Sequence, residues 1–574
     1  MNLRNRQVWI GLLAGALLCA SAPGGRGQTK PEPPRHRPVT LPRDTARVPG
    51  NPAASDSTNE TRSRFPTFEV PEYTITGDET NALSRMPRPL QSDFPTGGAL
   101  RSSGPGMRSP VLALNDTRRP TGLYGADRIG GGVRLGYGSF QSPSLDLWLS
   151  YGADQTDLLL SSGFTSSRGH VPHAQSQKAF NTLSGGFGLL GTRVRATLGL
   201  NGDGHRLYGS NWPDRWRTVT GIQGDVEIGT MRIGNGGLHT GMRMRSTVLE
   251  DTLKSSEVQL GFDASYQVTL GEVRLIADAV LSTSSYTSTM DVLSPHLYTM
   301  GIRARFPVQP MLDIEAGVRG GVRRGTDMGA MGFVDPLFGV YWRGWTDVTA
   351  YLRFEPAVEK ASLLSMSTES PYVTISPHLR PRHHRTNLVA GVAFQPAPTM
   401  RCTVEWFTLR GDDVPVFVDR DSAGIWTPVY GGVVSSTGVS ASIAADLSQD
   451  DVLRATLTLR NARWSGTGSG DPVLAGDAVP YLPGLEIDAF ALHRFPFGLT
   501  LAPSLRLVGS RAVDPRNSRS LTSYLDIGFR GEYIVLQSFT IALTFENLFG
   551  TKRTYWDRYP GVPATAALSA AYSW

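Results

Sequence analysis

The segment Val258-Gln259-Leu260-Gly261-Phe262-Asp263-Ala264-Ser265-Tyr266-Gln267-Val268-Thr269-Leu270 places every apolar side chain on one parity and every polar residue or glycine on the other. Only an extended strand turns a period of two into a single apolar face. After Gly271-Glu272 the alternation resumes through Val273-Arg274-Leu275-Ile276-Ala277-Asp278-Ala279, with one lapse at Ile276, so a tight hairpin is predicted. The unit recurs in Met300, Ile302, Ala304 and Phe306, followed by a turn over Pro307-Val308-Gln309-Pro310 and then Leu312, Ile314, Ala316 and Val318. It recurs again at 439–447 with 453–459 and at 525–533 with 539–545, and no helical stretch is expected to interrupt the series. Arg303, Asp313, Glu315, Arg319, Arg454, Arg460, Asp526 and Arg530 fall mid-strand opposite apolar rows. One face therefore meets water while the other meets a core or hydrocarbon.

A soluble sandwich and a membrane barrel both satisfy that pattern. Sandwich strands run ~5–6 residues, whereas these runs reach about ten or more, the length a tilted strand needs to cross a bilayer. Closure also removes the edges that so large a sheet would expose. The expected fold is all-β, a transmembrane antiparallel β-barrel of about 20–22 strands over residues 128–574, preceded by a disordered N-terminal segment. Trp148, Tyr151, Trp342, Trp345, Trp406, Trp464 and Tyr533 lie near strand ends and suit interfacial girdles. With 40% hydrophobic and 18% charged residues, the chain is too polar for a helical membrane protein and too apolar for general disorder. Its two cysteines, Cys19 and Cys402, exclude a disulfide scaffold, and a net charge of +6 over 574 residues gives no ground for a nucleic-acid partner.

Residues 1–27 read as an export signal, with Arg4 and Arg6 ahead of the apolar run from Val8 to Leu18 and then small residues. Residues 28–66, crowded with proline, arginine and small polar residues, read as a flexible leader. At the other end, Ala566, Leu568, Ala570, Tyr572 and Trp574 form an apolar row that stops on an aromatic residue. This resembles the terminal strand by which the outer-membrane barrel-assembly machinery recognises its clients.

The C-terminal region further resembles the TonB-dependent receptors. The matching features are Phe545-Glu546-Asn547-Leu548-Phe549-Gly550, then Tyr555, then Tyr559-Pro560-Gly561 and the closing strand. Gly136-Tyr137-Gly138-Ser139-Phe140 is similar to that family's first barrel strand. Within residues 67–78, Glu72-Tyr73-Thr74-Ile75-Thr76-Gly77 resembles a TonB box, an extended piece that offers itself as a strand to TonB. The resemblance implies transport of a solute that the sequence does not name. It departs from the family at residues 79–127, a Gly/Pro/Ser-rich tether too short for the family's folded plug domain. A passive pore or an outer-membrane scaffold without TonB coupling is the alternative, and an enzyme within the barrel ranks third.

No HExxH pair, Walker step, paired cysteines or nucleophile elbow is present, so no catalytic residue, cofactor or metal is expected. The cluster His378-Leu379-Arg380-Pro381-Arg382-His383-His384-Arg385 is a poor metal site, because adjacent strand residues face opposite ways and the arginines repel a cation. If Gln395-Pro396-Ala397-Pro398-Thr399 is a periplasmic turn, Arg385 lies a strand's length above it at the outer rim. Arg380, Arg382 and Arg385 are then candidates to contact lipopolysaccharide phosphates, besides the lipid that any such barrel meets.

Overall fold

The computed structural model describes residues 128–153, 156–189, 192–288, 292–345, 347–448, 450–465 and 477–574. The export signal, the leader, the TonB-box segment with Glu72 to Gly77, and the tether lie outside the described residues.

The alternating runs are strands of a closed 22-strand antiparallel barrel. They range from seven residues, Val348–Phe354, to 18, Trp216–Ile233. Closure is made between the first strand, Arg128–Gly138, and the last, Thr565–Ser573, in a register running from Gly132↔Ser573 to Gly138↔Ala567. At one rim the connections are two to four residues long, as at Gly271-Glu272, where Gly271 takes φ +63° and turns the chain directly from one strand into the next. At the opposite rim they extend to 355–381 and 413–432. This asymmetry is that of outer-membrane barrels, with short turns in the periplasm and long loops outside.

The two faces separate as the alternation requires. Val258, Leu260 and Phe262 are exposed on the outside, whereas Glu257 on the inner row is buried. The lapse at Ile276 falls on the inner row, where the side chain is buried in the wall. Mid-strand charges pair inside the barrel. Arg303 lies 3.5 Å from Glu315, Arg305 2.8 Å from Asp313 and Arg319 3.8 Å from Asp278, while Arg460 pairs with Glu486.

Of the seven candidate girdle aromatics, Tyr151, Trp342, Trp345 and Tyr533 lie toward the short-turn rim, and Trp342, Trp345 and Tyr533 are exposed there. Two of the seven do not fit. Trp464 is 2% exposed inside a loop-side apolar cluster. Trp148 lies on the inner row with Asp146, its ring over Gly132, where an added Cβ would stand 2.1 Å from it. Both lie near strand ends as the sequence indicates, but the parity of their positions turns them inward.

The terminal row closes the barrel. Leu568, Tyr572 and Trp574 are exposed on the lipid side, and Ala566 and Ala570 of the same row are half-buried. Trp574 donates its backbone N–H to the Gly131 carbonyl at 3.0 Å and accepts from Gly131 N at 3.1 Å. A Cβ on Gly131 would stand 2.7 Å from the Trp574 ring and 3.0 Å from the Trp148 carbonyl, so the seam requires glycine there.

One expectation fails. A seven-residue helix, Leu363–Glu369, lies within the connection 355–381. Ser365 N donates to Ser362 Oγ at 3.1 Å and Ser362 N to Ser365 Oγ at 2.9 Å, which caps its start reciprocally. Seven residues give too few turns for a readable period, and such a helix forms through packing.

Candidate functional site at the loop-covered mouth

The connection 355–381 folds inward against the barrel wall. Leu363, Met366, Val373 and Leu379 are fully buried against Val219, Leu249 and Tyr286, which come from three wall strands. Polar anchors fix its path. Leu363 N, at the start of the helix, donates to Glu257 Oε2 at 2.7 Å. Arg217, 1% exposed, donates to the Val373 carbonyl at 2.5 Å and pairs with Asp251 at 2.8 Å. Tyr286 donates to the Pro377 carbonyl at 3.1 Å, and Lys360 Nζ donates to Ser282 Oγ at 3.0 Å.

Two loop groups are displaced from their ordinary acidity. Burial lowers the Lys360 amine to about 8, against the opposing pull of Glu257. Burial pushes Asp251 up, but the hydrogen bond and charge of Arg217 win and hold its carboxyl below the usual value.

A second layer of aromatic side chains ties further loops over this one. Trp426 N donates to the Tyr372 carbonyl at 3.0 Å and Thr374 N to the Trp426 carbonyl at 2.7 Å, joining 413–432 to 355–381. The Tyr372 and Tyr559 rings stack with centroids 3.5 Å apart, and Tyr559 donates to the Gly424 carbonyl at 2.9 Å. Trp426 Nε1 donates to Tyr481 at 3.0 Å, and Tyr208 donates to the Pro560 carbonyl at 2.9 Å. Gly424, at φ +72°, passes so close to the neighbouring loop that a Cβ would lie 2.5 Å from the Gly209 carbonyl oxygen. Six connections thus share one buried, mainly aromatic cluster centred on Trp426, Tyr481, Trp556 and Tyr559. Tyr559-Pro560-Gly561, one of the features by which the sequence resembles the receptor family, supplies the ring at its centre.

The structure gives the three candidate arginines partners in their own chain. Arg380 takes both oxygens of Asp327 at 2.7 Å and reaches Asp413 at 3.3 Å. Arg382 is buried and pairs with Glu369, and Arg385, 59% exposed, pairs with Asp412. Arg380 and Arg382 thereby brace 355–381, and Arg385 is the one of the three that stands open to the surroundings. His383 lies 3.0 Å from Asp335, and among the described residues no group of three His, Cys, Asp or Glu side chains could hold a metal.

Sequence reasoning missed Arg217, Glu257, Tyr286 and Lys360. The first three share the inner parity of their strands, the one readable signal, but their loop partners lie 91 to 156 residues away and alternation says nothing of them.

By sequence, no family model and no curated relative matches the chain. Solved structures do. The FrpB iron transporter from Neisseria meningitidis (F3-3 variant) is 11% identical, with a TM-score of 0.63 over 78% of this chain and 82% of that one. The siderophore receptor PiuA from Acinetobacter baumannii is 10% identical, with a TM-score of 0.60 over 79% and 82%. The ferric yersiniabactin uptake receptor FyuA from Yersinia pestis is 11% identical, with a TM-score of 0.59 over 79% and 81%. The 22-strand barrel of the TonB-dependent receptors is therefore the fold of this chain.

Proposed function

We propose that this receptor-type barrel imports or exports a solute across the outer membrane of a Gram-negative envelope, with TonB coupling through Glu72 to Gly77. The observation that carries the reading is the inward-folded connection 355–381, buried against the wall and held by Arg217, Glu257 and Tyr286. A barrel of 22 strands is wide enough for an aqueous channel. A passive pore gains nothing from a mouth covered by six interlocked loops, whereas a gated transporter needs such a cover.

The fold is shared with proteins described as an iron transporter, a siderophore receptor and a ferric yersiniabactin uptake receptor. Solute transport comes to this chain from them by analogy of fold, and no particular solute comes with it. The terminal row from Ala566 to Trp574 serves as the signal to the barrel-assembly machinery, and Arg385 as a contact for lipopolysaccharide phosphate. No enzymatic step is assigned.

Coupling is tested with the full-length protein and the periplasmic domain of a TonB-type protein. Capture is expected for the natural chain and is expected to be lost when residues 72–77 are deleted, with outer-membrane levels unchanged. Capture that survives the deletion, or its absence from the natural chain, removes TonB from the proposal.

A further inference from the structure

Between the segments 477–484 and 509–520, at the long-loop rim, lies a cavity of about 380 Å3. Among the residues lining it are Arg460, Arg511, Asn517, Ser510 and Ser520, and no described Asp or Glu takes part in the lining. Backbone bonds tie the two segments together. Tyr481 N donates to the Ala512 carbonyl at 2.9 Å, Ala478 N to the Pro515 carbonyl at 3.0 Å and Gly509 N to the Leu485 carbonyl at 2.8 Å. The cavity is thus shaped before anything enters it, which spares an incoming ligand the cost of ordering its walls.

The charges around it are unevenly matched. Glu486 bonds Arg460 and lies 3.9 Å from Arg506, which also faces Asp488 at 3.6 Å. Arg511, 4% exposed, has neutral partners: its Nη2 donates to the Thr554 carbonyl at 2.6 Å, and its guanidinium lies 5.5 Å from the Tyr524 ring centroid. Its Nε has no hydrogen-bond partner among the described residues, and Glu486 acts on it only at longer range. A buried guanidinium without a paired carboxylate is costly, and its fork geometry fits the oxygens of a carboxylate or phosphate.

We propose that this cavity binds an oxyanion, a carboxylate or phosphate group held by Arg511 with Ser510, Ser520 and Asn517 as further donors. Ser518 also lines the cavity, but its hydroxyl is committed to Asp514 at 2.6 Å. The anion belongs either to the transported solute or to lipopolysaccharide. The first source rests on the transporter reading above, whereas binding itself does not.

The test uses full-length protein in detergent, stripped of lipopolysaccharide and titrated calorimetrically with inorganic phosphate and pyrophosphate. Saturable binding is expected, weakened about ten-fold or more in R511Q, as loss of a charge-assisted pair implies. R454Q is expected to bind as the natural protein does, because Arg454 pairs with Asp446 near the short-turn rim. Heat-modifiable migration reports whether each variant has folded. Should R511Q fail to fold, R511K replaces it, and loss of the fork is expected to weaken binding by roughly three-fold or more.

Mass spectrometry of the unstripped protein separates the sources. Stoichiometric lipid A phosphate retained by the natural chain and lost from the folded variant assigns the cavity to lipopolysaccharide, whereas binding of free phosphate alone assigns it to a soluble anion. Equal affinity in natural and folded variant protein, or no saturable binding by the natural chain, overturns the proposal. Absence of TonB capture by the natural chain with phosphate binding intact would remove TonB from the reading above and leave this site standing.

Discussion

Glu257 and Leu260 stand three residues apart on one strand and meet opposite surroundings, the carboxylate 2% exposed inside the barrel and the leucine 44% exposed outside it. That contrast predicts an asymmetric response to charge. Leu260→Arg is expected to cost ~2–4 kcal/mol near the bilayer midplane, and Gln259→Arg on the inner row little. Unfolding of the two variants in lipid vesicles measures the difference, and equal effects would contradict a lipid-facing row. Lys360 makes a second prediction at this scale. Its amine, ordinarily at 10.5 and lowered to about 8 in place, disfavours the charged form when 355–381 is docked. Docking is therefore weakest below pH 8 and strengthens as pH rises from about 8 toward 10.5, by on the order of 3 kcal/mol at most and less after solvent screening. Channel recordings should show the closed fraction rising over that range in the natural protein and staying flat in K360M.

Strands that look interchangeable in alternation differ at the seam. The last strand must meet both Phe539–Glu546 and the first strand, and its terminal tryptophan sits over Gly131. Deleting Trp574 or substituting Trp574→Asp is expected to leave export intact while blocking insertion. Normal outer-membrane levels and normal heat-modifiable migration of either variant would refute the role given to this strand. Gly131→Val probes the same contact from the other side, since a branched side chain cannot share the space of the Trp574 ring.

The short helix Leu363–Glu369 shows the reverse dependence. With only seven residues its stability comes from Leu363 and Met366 seated on the wall and from the Glu257 carboxylate at its first turn. Of the Asn-Leu-Phe element, Asn547 turns the chain at φ +48° and receives Thr551 N on its side-chain oxygen at 2.9 Å, a local reason for asparagine at that point.

For the whole molecule the question is what restricts flow through a barrel this wide. Low conductance is expected from the intact protein in planar bilayers. Deletion of 355–381, bridged by a short linker between Phe354 and Arg382, is expected to raise it, because the buried contacts of that connection with Val219, Leu249 and Tyr286 then disappear. Deletion of residues 78–126 in a second variant separates the contribution of the tether from that of the loops. High conductance from the intact protein would exclude gated transport, and low conductance from all three forms would favour a scaffold.

Alternation over Val258 to Leu270 was enough to give strands, their length and the closed barrel, because lipid on one side and water on the other impose a strict period of two on every spanning segment. The terminal row to Trp574 and the lumen charges such as Arg303 and Glu315 were legible for the same reason, each depending on parity within its own strand. Parity also explains the two aromatics that leave the girdles, since Trp148 and Trp464 lie near strand ends but on positions that face inward. The mouth follows no such rule. Arg217 meets Val373, Glu257 meets Leu363 and Tyr372 stacks on Tyr559 across long stretches of chain. Those partnerships arise only when barrel closure brings the loops together over one opening, and burial of the apolar and aromatic groups selects the packing.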